Sequence, residues 1–164
     1  MITRIGSLRT AIAVATGIAT LYMGLVVLNN VTDFPTNRAF VEHVLAMDTT
    51  FQSPNTMWRA ITSPTVALIA YIAIIAWEAV AAVMLGIGFV KGVRGRDGAR
   101  SYGTVGFLMM LLLFGGGFIA IGGEWFEMWQ SQKWNGLQPA TFNFLTASAG
   151  LILTRLHDRP SVDT

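Results

Sequence analysis

Glu78 sits where a side chain needs a chemical reason. It lies beside Trp77, in an apolar run from about Thr65 to Val90 that no other charge interrupts. A carboxylate in hydrocarbon is costly when charged, so it must be neutralised or find partners. On an ideal helix the same face carries Ala67, Tyr71, Ile74, Ala82 and Leu85. The hydroxyls of Thr16 and Thr20 in the first apolar run, and of Thr146 and Ser148 in the last, are expected at similar depth. Two chemistries fit this setting. One is a proton or cation relay; the other is a carboxyl that hydrogen-bonds across helices and fixes their packing. A relay needs several polar stations, and the third apolar run offers none near its middle.

A second polar group flanks the apolar runs: Asn29, Asn30, Asp33, Glu42, His43, Asp48, Glu124 and Glu127. His43 with surrounding carboxylates would be the nitrogen ligand of a metal site. The pattern of two histidines on adjacent turns is missing, however, and His43 and Asp48, five apart, diverge on a helix. No metal site is assigned. These groups are expected to be solvated or ion-paired, with Arg38 and Arg59 as partners that hold the flanking segments together. Trp125, Phe126, Trp129 and Trp134 are either the wall of a quinone or lipid-headgroup site or an interfacial aromatic belt joined to a small core, and Trp58 in the earlier segment is a further candidate in the cap. The belt reading needs only amphipathic rings at headgroup level, with Glu124 and Glu127 on its wet side.

Several chemistries are excluded. There is no cysteine, so disulfides, thiolate metal sites and cysteine nucleophiles are absent. No Ser-His-Asp set, paired-histidine motif or phosphate-binding loop is present. Gly86-Ile87-Gly88 ends an apolar run rather than joining a strand to a helix, so it is no dinucleotide fingerprint. Bis-histidine haem ligation within a bilayer lacks its second histidine. No cofactor is expected. The net charge of +2, spread along the chain, gives no footprint for nucleic acid.

The elements that must position these residues are membrane helices. The 164 residues suit one domain; 53% are apolar and only 12% charged, against about 25% in soluble domains. Four runs are long enough to cross hydrocarbon as helices: about 10–28, 65–90, 102–121 and 141–156. The second, at about 1.5 Å per residue, reaches nearly 40 Å and must tilt or project. The fourth is the weakest, diluted by Asn143, Thr146 and Ser148. None alternates as a membrane strand would. The first follows Arg4 and Arg9 like a signal peptide, but it is too long and lacks a small-x-small cleavage site, so it reads as a retained helix.

Residues 29–63 and 122–139 are expected to form a cap on one end of the bundle. Thr36 is the expected N-cap of a helix carrying Phe40, Val41, Val44 and Leu45. Ser53-Pro54 should open a second short helix with Met57, Trp58 and Ile61 on one face, and Ser63-Pro64 the second spanning helix. Gly115, Gly116 and Gly117 predict close helix contact first and a local break second. Ala13, Gly17, Thr20 and Gly24 form a small-residue face suited to close approach, with the third run as a candidate partner. Residues 157–164 read as a mobile polar tail.

Charge then orients the chain. Eight of the eleven Lys and Arg residues (Arg4, Arg9, Lys91, Arg94, Arg96, Arg100, Arg155 and Arg159) fall on one side of four crossings. Arg38, Arg59 and Lys133 fall on the other. The positive-inside rule places both termini in the cytoplasm and the cap outside.

The stretches Asn29-Asn30 through Asp33, Phe40 to Thr50 (FVEHVLAMDTT), Trp58-Arg59-Ala60-Ile61 and Gly122 to Gly136 (GGEWFEMWQSQKWNG) resemble a bacterial family of predicted small integral membrane proteins, a domain-of-unknown-function family of about this length. The resemblance runs from the first helix to the fourth. It implies a bacterial cytoplasmic membrane and four spanning helices, and it transfers no catalytic or ligand residue. The expectation is an all-α membrane protein, a four-helix bundle with short cap helices. Its expected role is non-enzymatic, as an accessory or assembly subunit contacting lipid, other membrane proteins or its own copies. The alternative is a small ion- or proton-coupled transporter using Glu78.

Overall fold

The computed structural model describes residues 6–156; the polar tail expected to be mobile lies outside them. Every regular element among the described residues is helical. Helix α1 spans Leu8–Thr32, α2 Phe34–Ala46 and α3 Pro64–Val93. Helix α4 begins as an α-helix over Ala99–Leu111 and continues as a π-helix over Leu112–Trp125. Helix α5 spans Leu137–Arg155. Two 3₁₀ turns, Met57–Arg59 and Met128–Gln130, lie in the long connections.

Helices α1, α3, α4 and α5 run alternately up and down. Gly92 meets Ala13 and Gly86 meets Thr20, which sets α3 antiparallel to α1. Gly88 and Gly103 bring the α3 and α4 backbones together, and Thr104 donates to Thr154 across 3.0 Å between α4 and α5. Ala13, Gly17 and Thr20 of the small-residue face of α1 therefore pack on α3 rather than on the third run, while Gly24 faces open space. Gly17 admits the Phe89 ring, and α3 supplies Gly86, Gly88 and Gly92 to the same seam. Helix α5 returns to α1 and touches it only lightly.

Three helices, Leu8–Thr32, Pro64–Val93 and Ala99–Trp125, are long and apolar enough to cross a membrane. The expected fourth, 141–156, is part of α5, which falls outside that set; Asn143, Thr146 and Ser148 dilute its 19 residues.

Local signals explain most boundaries. The Ser7 hydroxyl caps α1 by accepting the Thr10 amide, and Ser63 caps α3 by accepting that of Val66. Asn29 and Asn30 stay helical, so α1 outruns the expected end at 28. Thr36 lies inside α2, and Asp33 takes the cap position, because Pro35 suits only a helix's first turn. The expected helix at Ser53-Pro54 is a single 3₁₀ turn. The chain must come back within a few residues for the Ile61 amide to reach the Leu45 carbonyl at 2.8 Å.

The three glycines fall in the π segment. Gly115 lies against the Phe144 ring of α5, where a Cβ would come within 2.8 Å, whereas Gly116 faces open space. Close contact explains Gly115, and altered helix geometry, not a break, accommodates the run.

Candidate functional site

The two long connections meet at one end of the bundle. Thr49 and Ser131 share a 2.8 Å hydroxyl contact, the Phe51 amide donates to Gln130 Oε1 at 2.8 Å, and Thr56 donates to Glu127 Oε2 at 3.1 Å. Phe51 packs edge-on to Trp129, and Trp58 edge-on to Trp125. Arg59 pairs with no acid among the described residues. Its guanidinium lies over the Trp58 and Trp125 rings, 4.9 Å from the latter's centroid, and donates to the Trp125 carbonyl. Arg38 does pair with an acid, Glu42, at 2.7 Å.

His43 and Asp48 do not diverge. Helix α2 stops at Ala46, Met47 takes a left-handed conformation, and the chain folds Asp48 back to His43 Nδ1 at 2.7 Å. The imidazole stacks on Trp134, their centroids 4.5 Å apart. Of the aromatic set, Trp125 and Trp129 are exposed, Trp134 is half-buried and Phe126 is buried. Glu124 and Asp33 are exposed. No group of three or more His, Asp or Glu side chains among the described residues could hold a metal ion.

Glu78 occupies a different place. It is only 2% exposed and lies on the buried face of α3 with Ala67, Tyr71, Ala81 and Leu85. Its partner is Asn30, whose side-chain amide donates to Glu78 Oε2 at 2.7 Å. Tyr71 in turn donates to the Asn30 carbonyl at 2.8 Å. The threonines and serine expected to face Glu78 do not. Thr16, Thr20, Thr146 and Ser148 each donate to the carbonyl four residues back on their own helix. The antiparallel register puts Asn30, not Thr16 or Thr20, level with Glu78.

Glu78 and Asn30 line a cavity of about 300 Å³ at the cap end, with Tyr22, Tyr71, Phe114 and Asn143. Asn143 donates to Tyr22 Oη at 2.8 Å and to the Pro139 carbonyl at 2.9 Å. Asn30 and Asn143 are the residues missed in the sequence as parts of this site. Asn143 is an amide inside a run read as spanning, which was its signal, whereas Asn30 lies just past the expected end of the first run at 28.

Below the chamber the bundle is closed. Met23, Ala81, Leu85, Phe107 and Met110 are each at most 1% exposed and form one apolar layer with Ala19, Phe114 and Ala147. Beyond it, toward the basic end, lie the buried hydroxyls of Thr16, Thr104 and Thr154.

Long apolar helices wrapped round a buried polar cluster define an all-α integral membrane protein, in contact with lipid along its exposed Leu, Ile and Val side chains. The chain belongs to the family described as predicted small integral membrane protein (DUF2165), whose model matches residues 8–157. No match was found among curated proteins or among solved structures.

Proposed function

We propose that this protein is a non-enzymatic accessory or assembly subunit of a bacterial cytoplasmic membrane, working through contact with other membrane proteins or with its own copies. All four long helices cross in this reading, with the basic end and both termini in the cytoplasm. In support, α5 accompanies α4 from Thr154 beside Thr104 to Leu137 beside Gly123, and so covers the depth of a helix that is itself long enough to span.

The observation that carries the accessory reading is the apolar layer of Met23, Leu85, Phe107 and Met110. It separates the Glu78 chamber from the hydroxyl cluster at the basic end. A path for ions or protons needs polar stations or water, and this layer has room for neither. The exposed rings of Phe51, Trp58, Trp125 and Trp129 supply a contact surface at the cap.

The test is reconstitution of the pure chain alone into liposomes under an imposed pH or sodium gradient. No Glu78-dependent flux is expected, and crosslinking in native membranes should trap a fixed stoichiometric assembly. Flux that Glu78→Gln abolishes would overturn the reading. The chamber itself favours the second reading, an ion- or proton-coupled carrier, but such a carrier must move helices to open the apolar layer.

A further inference from the structure

We propose that the Glu78 chamber binds the ammonium head of a single-chain aliphatic amine that enters sideways from the membrane between α1 and α5. The proposal is independent of the accessory role. Four observations carry it.

The first is an unspent carboxylate oxygen on a buried side chain. Asn30 occupies Glu78 Oε2, while Oε1 has no hydrogen-bond partner among the described residues, although Glu78 is only 2% exposed and lines the cavity. A buried carboxylate with open acceptor capacity calls for a donor.

The second is the chemistry of the other lining groups. The Asn143 amide spends its NH₂ on Tyr22 and on Pro139, which leaves its carbonyl oxygen as an acceptor. Tyr71 spends its proton on Asn30. No Lys, Arg or His among the described residues lines the chamber. Apart from the Tyr22 hydroxyl proton, the free polar atoms are therefore acceptors beside one acid, complementary to a cation with several N–H donors. Phe114, Phe118, Phe40 and Tyr71 complete the wall, and aromatic faces attract ammonium groups.

Third, the chamber adjoins an apolar groove of about 400 Å³ between α1 and α5, where these helices touch lightly. The groove shares Tyr22, Pro139 and Asn143 with the chamber and continues past Ile18, Met110 and Phe142. Ile18 and Phe142 are 64% and 61% exposed, so on a membrane helix they face lipid.

The fourth is polarity of direction. The groove leads from the Asn143 level toward the middle of the bundle. An amphiphile would thus lie with its head at Glu78 and its chain toward the bilayer centre, as a lipid of the cap-side leaflet does. The Asn143–Tyr22 hydrogen bond stands at the junction of head and chain.

The experiment is calorimetric titration of the full chain in detergent, each probe corrected against empty micelles. Hexylammonium is the probe, 1-hexanol its uncharged control and ethylammonium its control without a chain. Saturable one-to-one binding of hexylammonium is expected, at least about tenfold tighter than either control. Glu78→Gln, which keeps shape and can still accept from Asn30, should weaken hexylammonium at least about tenfold and leave hexanol unchanged. Thr146→Trp, an exposed groove position, should bring hexylammonium down toward ethylammonium. Thermal unfolding of both variants checks that they fold. Absence of saturable binding, equal binding of hexanol, binding unaffected by Glu78→Gln, or tighter binding of sodium or potassium ions would each overturn the proposal.

Discussion

The Asn30 side-chain amide donates to the Glu78 carboxylate at 2.7 Å, joining α1 to α3 inside the bundle. A hydrogen bond in a low-dielectric setting is among the stronger polar contacts a helix bundle can make, and breaking one partner leaves the other exposed to hydrocarbon. The two residues should therefore respond unequally to substitution.

Asn30→Ala strips from Glu78 its only donor among the described residues. It should destabilise the bundle by about 1–3 kcal/mol, the usual cost of stranding a buried polar group. Glu78→Gln keeps an acceptor for Asn30 and should fall within about 1 kcal/mol of the parent. Glu78→Lys places a cation against the Asn30 NH₂ group and should be the worst of the three. Unfolding in mixed micelles by denaturing detergent measures all of them. Equal effects of Asn30→Ala and Glu78→Gln would show that the bond contributes nothing.

Backbone approach between α3 and α4 yields a second test. A Cβ on Gly88 would meet the Gly103 amide nitrogen at 2.8 Å and the Ala99 carbonyl at 3.1 Å, and backbone cannot move aside as a flexible side chain can. Gly88→Ala should cost about 1–3 kcal/mol through overpacking. Gly24→Ala on α1, with nothing within 4 Å, should be neutral or stabilise by up to about 1 kcal/mol. The same unfolding measurement compares them, and a silent Gly88→Ala would mean that the helices do not sit this close.

How far these relationships can be read from the chain differs by element. The apolar runs, the Ser63 cap and the buried face of α3 follow from periodicity and capping, which are local. The partner of Glu78 does not. Matching residues by depth along each helix pointed to Thr16, Thr20, Thr146 and Ser148, all of which satisfy themselves on their own helices. Asn30 was grouped with the flanking acids because it lies near the end of the apolar run, yet α1 continues through it to Thr32 and carries its side chain inward. The register between α1 and α3 depends on the small-residue seam, and that seam's partner is not encoded in either helix alone. The His43–Asp48 pair escaped for a related reason: it needs the left-handed Met47, and β-unbranched Met carries no turn signature.

Arg59 offers a test of the cap. Its guanidinium lies between Trp58 and Trp125 and bonds the Trp125 carbonyl, while its Nε is buried without a partner. Arg59→Gln removes the cation from the two rings, where each contact contributes about 0.5–1 kcal/mol at an exposed site. The loss of the unpaired Nε offsets part of that. The net expectation is a local loosening of about 1 kcal/mol, read as faster hydrogen exchange across Phe51 to Ile61 with little change in the helices. Unchanged exchange there would remove Arg59 as a clamp between the two connections.

The proposed orientation is testable because the chain has no cysteine, so a single introduced thiol reports alone. Gln52 is exposed in the cap, and Asp97 is exposed in the basic turn between α3 and α4. A membrane-impermeant maleimide should label Gln52→Cys in intact cells and Asp97→Cys only after permeabilisation. The opposite pattern would reverse the orientation argued from Lys91, Arg94, Arg96 and Arg100. The crossing of α5 needs its own measurement, since that helix is shorter and more polar than the other three. Reporters fused to the two termini should lie on the same, cytoplasmic side when α5 crosses. If α5 instead lies along the surface, three crossings would place the C-terminal reporter on the cap side. Its packing beside α4, from Thr154 to Leu137, makes the first outcome the expected one.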